Sequence, residues 1–120
     1  MNTEDGNDIS KICFSENGYY FVSTSLNSNS VNLWDLRKRK IIREIRLPEK
    51  SPIEYINFDN FGNTLGICAD YSYVYNIKTF ELINNIEKSR NCKYIKFDRD
   101  MEFFMTANSE GNISTSLIYN

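Results

Sequence analysis

The chain has 120 residues, of which 41% are apolar and 25% charged, and its formal net charge is -2. These values are typical of a single globular domain and too balanced to indicate a general affinity for nucleic acid. Histidine is absent, which excludes Ser-His-Asp and Cys-His catalysis and the usual histidine-containing zinc sites. We therefore expect no catalytic residues, no cofactor, no metal and no small-molecule substrate.

In chain order, a polar lead-in at 1–8 precedes three similar units at 9–47, 53–86 and 92–120. Runs rich in Tyr, Phe, Val, Ile and Thr, with alternating polarity, predict short β-strands in each unit. The first two units have four such runs, whereas the third ends after its third run. No segment predicts a helix, so the chain is expected to be all-β.

The three units repeat one another. Each begins with an Ile-x-Phe segment, and the phenylalanines stand at positions 14, 58 and 97. Ser or Asp and then a turn follow each of them, before the second strand, a polar loop and the third strand. Four short antiparallel strands that recur about every 40 residues are typical of a β-propeller blade.

The third strand of the first unit contains Leu33-Trp34-Asp35-Leu36, and this sequence resembles the signature of WD repeats. The signature weakens to V-Y-N at 74–76 and to T-S-L at 115–117. The resemblance implies a partial WD-repeat β-propeller of about three four-stranded antiparallel blades, the last without its outer strand. It also implies structural roles for Trp34, which would pack a blade, and for Asp35, which would cap a strand end. Without histidine, the Ser/Thr-His-Asp-Trp hydrogen-bond cluster of well-formed WD blades cannot form here.

Two phrases, F-S-E-N-G-Y-Y at 14–20 and V-N-L-W-D-L-R-K at 31–38, resemble the late blades of the pre-mRNA-processing factor nineteen family. Its members combine an N-terminal U-box, a coiled coil and a C-terminal WD propeller. The resemblance implies a nuclear protein-interaction scaffold that recruits spliceosomal partners or substrates, with ubiquitin-ligase activity in a U-box outside these residues. The alternatives are a WD-repeat scaffold of another intracellular complex and an RNA-contacting module.

The third unit has three strands, and the lead-in at 1–8 offers no spare strand to complete it. Three blades are also fewer than the usual minimum of about four in a ring. We therefore expect the chain to be an incomplete piece of a larger propeller.

Cys13, Cys68 and Cys92 are odd in number and far apart in sequence, and no C-x-x-C pair is present. The pattern predicts reduced, buried thiols that act as small apolar residues, with a disulfide, a redox role or a thiol-dependent enzyme as the alternatives. No membrane helix and no signal peptide are recognisable. Together these features predict an intracellular protein without membrane contact.

In a propeller, the loops that enter each first strand and those that join the second strand to the third share one face, which commonly receives partners. This fold analogy predicts a protein-interaction face. Its members are Asp8, Asn27, Asn29, Ser51, Asp70, Tyr71, Arg90, Asn91, Ser109 and Glu110.

A run of basic residues follows the WD signature. It is a candidate RNA contact, because Lys and Arg neutralise phosphates. The alternative is a solvated loop whose charges protect an outer edge strand from pairing. The run consists of Arg37, Lys38, Arg39, Lys40 and Arg43, with Arg46 beyond it.

Overall fold

The computed structural model describes residues 9–25, 29–47, 53–86, 92–100 and 102–117. Within these ranges the regular structure is entirely β, with eleven strands in three antiparallel sheets. The strands are β1 Ile9–Phe14, β2 Tyr20–Ser25, β3 Ser30–Asp35, β4 Lys40–Arg46, β5 Tyr55–Phe58, β6 Thr64–Cys68, β7 Ser72–Asn76, β8 Leu82–Ile86, β9 Cys92–Phe97, β10 Phe103–Asn108 and β11 Ile113–Leu117.

Each sheet is a simple antiparallel meander in chain order. The first contains β1 to β4, the second β5 to β8, and the third β9 to β11. Strand β5 contacts both β1 and β9, so the first strands of the three sheets lie side by side. Three small meanders stacked in this way are the blades of a propeller, and the predicted all-β fold is confirmed. The three sheets do not close into a ring.

The first two sheets pack through an apolar core. Val22, Leu33 and Ile45 of the first sheet meet residues such as Leu65 and Ile67 of the second, and all five are buried. They alternate with residues of the opposite face, as the period of a strand requires. Full burial of each such side chain contributes roughly 1.5–3 kcal/mol to stability, so this core is the main attachment between the two sheets.

A second core joins the second and third sheets through the opposite face of the second sheet. Cys68 and Val74 lie against Cys92, Ile95 and Phe104, and all are fully buried. Every residue of β6 and the first four residues of β7 are buried, because the second sheet is covered on both faces. This explains why β6 is apolar at consecutive positions instead of alternating.

The Ile-x-Phe segments of the second and third units face the preceding sheet. Ile56 and Phe58 belong to the core shared with the first sheet, and Ile95 belongs to the core shared with the second. The equivalent residues of the first unit, Ile12 and Phe14, are 52% and 62% exposed. The three sheets therefore stack with a constant orientation, each presenting the same segment to the sheet before it.

Candidate protein-interaction surfaces

The turn between β3 and β4 is built on Asp35. Its Oδ1 accepts hydrogen bonds from the backbone N–H groups of Arg37 at 2.9 Å and Lys38 at 3.3 Å, and its Oδ2 lies 3.4 Å from Nη2 of Arg37. Burial by itself would raise the pKa of Asp35, but the hydrogen bonds from Arg37 and from the two N–H groups outweigh it and hold that pKa below its usual value. Asp35 thus caps the end of β3.

The turn between β7 and β8 repeats this arrangement with Asn76 in the place of Asp35. The Asn76 side-chain oxygen accepts hydrogen bonds from the backbone N–H groups of Lys78 at 2.8 Å and Thr79 at 3.1 Å. An amide oxygen can accept the same bonds as a carboxylate oxygen. Lys78 is therefore the structural equivalent of Arg37, one sheet further along the stack.

Both turns end in a residue with left-handed backbone. The backbone N–H of Arg39 donates to the carbonyl of Asp35, and that of Phe80 donates to the carbonyl of Asn76. Their φ angles are 57° and 61°, a region that costs a residue with a side chain roughly 1–2 kcal/mol. The shared geometry places the Arg39 and Phe80 side chains at equivalent positions of the two sheets.

Trp34 lies within the first sheet and is 4% exposed. Its ring stacks on Phe21 with centroids 5.3 Å apart, and Phe21 in turn contacts Phe14. Its Nε1 donates a hydrogen bond to Oγ of Ser23 at 3.0 Å. The indole N–H of the Trp-Asp signature thus has Ser23 as its hydrogen-bond acceptor, although the chain contains no histidine.

The described members of the predicted interaction face lie in the loops β2–β3, β6–β7 and β10–β11, which emerge at the same ends of the strands. We call this side the loop face. Asp70, Ser109 and Glu110 are exposed, Tyr71 packs partly against the core, and Asn29 donates a side-chain hydrogen bond to the carbonyl of Leu47 at 3.1 Å. The remaining members lie outside the described residues: Asp8, Asn27, Ser51, Arg90 and Asn91.

The basic run is divided between the β3–β4 turn and strand β4. Arg37, Lys38 and Arg39 lie in the β3–β4 turn, whereas Lys40 begins β4 and Arg43 lies within it. Arg37 turns toward Asp35, and the Arg43 guanidinium lies 4.2 Å from the centroid of the Phe80 ring. Arg46 pairs with Glu44 on the same strand. Strand β4 is the outer strand of its sheet, where charged side chains discourage pairing with other chains.

Cys68 at the end of β6 and Cys92 at the start of β9 lie side by side inside the core shared by the second and third sheets, with Cα atoms 5.1 Å apart. This separation suits a disulfide, which is the alternative to the predicted reduced thiols. Cys13 is free and half-buried, and burial raises the pKa of its thiol, which opposes formation of the nucleophilic thiolate.

A groove of about 550 Å³ opens between the first two sheets on the side opposite the loop face. We call it the turn groove, because the turns β1–β2, β3–β4, β5–β6 and β7–β8 surround it. Its lining residues are Asn17, Tyr19, Tyr20, Arg37, Ile42, Gly62, Asn63, Ile77, Lys78 and Phe80.

This groove was not predicted from the sequence, although Arg37 was among the candidate residues. The repeat could have indicated it, because aligning the turn at 35–39 with the turn at 76–80 makes Lys78 the equivalent of Arg37. The two cations then stand on neighbouring sheets, at the same end of the strands. Sheet stacking brings them to one opening, which neither turn forms alone.

No protein-family model matches the chain. The chain is 33% identical over 117 residues to pre-mRNA-processing factor 19 of Dictyostelium discoideum and 26% identical over 113 residues to that of Oryza sativa subsp. japonica. Both alignments cover 88% of this chain, which spans only about a fifth of the length of either relative. Among solved structures, the Cps50 (Swd1) β-propeller domain of Myceliophteria thermophila matches the whole chain with a TM-score of 0.82 at 15% identity, over 37% of that chain.

The chain has a partial β-propeller fold and is similar to pre-mRNA-processing factor 19. The similarity to the processing factors covers 88% of the chain, and the structural match shows the propeller fold. In the part of the chain that the structure describes, no helix is long and apolar enough to cross a membrane. The same part contains no group of three or more Cys, Asp or Glu placed to hold a metal ion.

Proposed function

We propose that this chain is a protein-interaction scaffold of a pre-mRNA splicing factor, and that it recruits partners or substrates for spliceosome activation in the nucleus. The observation that carries the proposal is its similarity to pre-mRNA-processing factor 19 over 88% of its length. Ubiquitin transfer, in this proposal, belongs to a U-box outside these residues.

The loop face is the proposed docking surface for those partners. Its described loops come from three different sheets. A partner that contacts all three loops therefore binds a surface that exists only when the sheets are stacked. Asp70, Ser109 and Glu110 are exposed in these loops, and Tyr71 is partly buried next to Asp70 in the chain. Exposed polar residues together with an aromatic residue are common in protein interfaces.

The test is affinity purification of the tagged protein from its native locus, followed by quantitative mass spectrometry. We expect splicing proteins to co-purify with the wild type. A double charge reversal on the loop face, Asp70→Lys with Glu110→Lys, should lower their recovery by about ten-fold, as expected for loss of interface contacts.

The matched control is Glu81→Lys with Asp100→Lys. It reverses one exposed carboxylate on each of the same two sheets, but in the turns at the other ends of the strands. Recovery should remain at the wild-type level. Absence of splicing proteins from the wild-type purification would refute the scaffold role, whereas equal losses in both double variants would refute the loop face as its surface.

A further inference from the structure

We propose that the turn groove is a second binding site, which takes a short acidic peptide segment with an aromatic or aliphatic side chain next to its carboxylates. The groove lies between the first two sheets at the ends of the strands away from the loop face. The proposal therefore does not depend on the loop face as a docking surface.

The groove combines positive charge with aromatic walls. Among the residues that the structure describes, Arg37 and Lys78 are the charged residues that line it, and none of the lining residues is Asp or Glu. The Arg37 guanidinium lies 4.4 Å from the centroid of the Tyr19 ring, and its Nη2 donates to Oη of Tyr20 at 3.4 Å. The guanidinium meets Asp35 through Nε and Nη2, so its Nη1 group is the part that remains for a further carboxylate, while the tyrosine ring contacts an apolar group. Tyr19 is 47% exposed, so its ring is accessible to such a group.

Phe80 forms the opposite wall and extends the groove. It also lines an adjoining recess of about 310 Å³ along β4, together with Arg43 and Tyr75. Arg43 lies over the Phe80 ring, just as Arg37 lies over Tyr19. The two spaces thus present two arginine–aromatic pairs in succession along the boundary between the sheets, which suits an extended peptide with more than one acidic residue.

The charge count favours a peptide over RNA. Asp35 already pairs with Arg37, and Glu44 pairs with Arg46 within the lining of the recess. Binding of RNA draws its affinity from many unpaired cations along a phosphate backbone. The few partly compensated cations here match the one or two carboxylates of a short peptide, and the aromatic walls supply the remaining contact area.

The experiment screens the 120-residue chain by fluorescence anisotropy against an arrayed library of labelled short peptides that combine Glu or Asp with Phe or Leu. An otherwise identical library carries Gln and Asn in place of the acids. We expect a subset of the acidic peptides to bind, and their amide counterparts to bind about ten-fold more weakly or not at all.

Lys78→Glu should weaken the selected peptides by about ten-fold. The β7–β8 turn is held by the backbone N–H of residue 78 and not by its side chain, so the variant keeps the turn. Tyr19→Ala should also weaken binding, through loss of the aromatic wall. The matched control is Lys38→Glu, an equal charge change in the β3–β4 turn, at an exposed residue outside the groove lining, and it should change affinity by less than about two-fold.

Three results would overturn the proposal. The first is a library in which no acidic peptide binds. The second is an equal loss in Lys38→Glu and Lys78→Glu, which would mean general charge attraction. The third is an oligouridylate that binds more tightly than every peptide and loses its binding in Lys78→Glu, which would identify the groove as an RNA contact. Circular dichroism of each variant confirms that the sheets remain folded.

Discussion

The indole N–H of Trp34 on β3 reaches the hydroxyl of Ser23 on β2 across 3.0 Å. The two residues are diagonal neighbours, because Trp34 pairs directly with Phe21, two positions before Ser23. Both are almost fully buried, so water does not replace the bond when it is lost.

Ser23→Ala should lower the free energy of unfolding by about 1–3 kcal/mol, since it leaves a buried N–H donor without its acceptor. Trp34 is the single tryptophan of the chain, so its fluorescence during urea unfolding measures the effect directly. Ser25→Ala, which removes a buried hydroxyl from the same strand, should cost less. An equal loss of unfolding free energy in Ser23→Ala and Ser25→Ala would show that the hydrogen bond to the indole adds no stability beyond that of another buried serine hydroxyl.

A disulfide between Cys68 and Cys92 would close a loop with a sequence separation of 24 residues. Replacing both cysteines by alanine should lower the free energy of unfolding by about 3 kcal/mol, because the cross-link restricts the unfolded chain. Urea unfolding of the oxidised wild type and of the double variant measures the difference.

A chemical assay tests the pairing itself. In denaturant without reductant, iodoacetamide should modify Cys13 alone if the other two sulfurs are bonded to each other. Modification of all three cysteines, found by mass spectrometry of freshly purified protein, would contradict the disulfide and support the prediction made from the sequence.

Gly66 on β6 faces Ile95 and Phe97 of the third sheet at close range. A Cβ at this position would stand 2.8 Å from Cδ1 of Ile95 and 3.0 Å from Cζ of Phe97. Gly66→Ala should therefore destabilise the chain by about 1–3 kcal/mol through overpacking. The added change Ile95→Val removes the contacting Cδ1 and should recover part of the loss in thermal unfolding. Strictly additive losses would show that the two positions do not share this contact.

Asp35 should make the stability depend on pH. Its pKa in the folded chain lies below its usual value, which is about 3.9 in an unfolded chain. A depressed folded pKa stabilises the fold above the unfolded pKa, and this contribution is lost as the pH falls from about 4 toward the folded pKa.

Asp35→Asn should remove that part of the acid sensitivity while keeping the turn, because Asn76 caps the equivalent turn with an amide. Urea unfolding midpoints measured from neutral pH down to about pH 3 compare the two proteins. Asp100→Asn, at an exposed position, is the control and should retain the wild-type profile. An unchanged pH dependence in Asp35→Asn would show that another carboxyl group is responsible.

Much of the fold follows from local sequence patterns. The alternation and repeat spacing predict four strands in each of the first two units and three in the third, as the structure has them, because β-period and turn residues are properties of neighbouring positions. The same patterns place Asp70 and Glu110 in equivalent loops. Whether these loops bind a partner stays a prediction, since a loop sequence alone does not identify what contacts it.

The features that the sequence analysis missed all depend on contacts between sheets. Cys68 and Cys92 are distant in sequence and meet only when β9 packs against the second sheet. Arg37 and Lys78 likewise reach one groove only when the first two sheets stack. Periodicity describes one strand at a time, and it carries no information on which sheets become neighbours or how closely they approach.

Because the Ile-x-Phe segments all lie on the same side of their sheets, the two ends of the stack of sheets differ. Ile56 packs backward onto the first sheet, Ile95 packs backward onto the second, and Ile12 occupies the same position at the leading end. Faces of this kind match head to tail. A further unit that joins such a stack head to tail keeps the existing direction, so every loop and every turn continues to emerge on the same side.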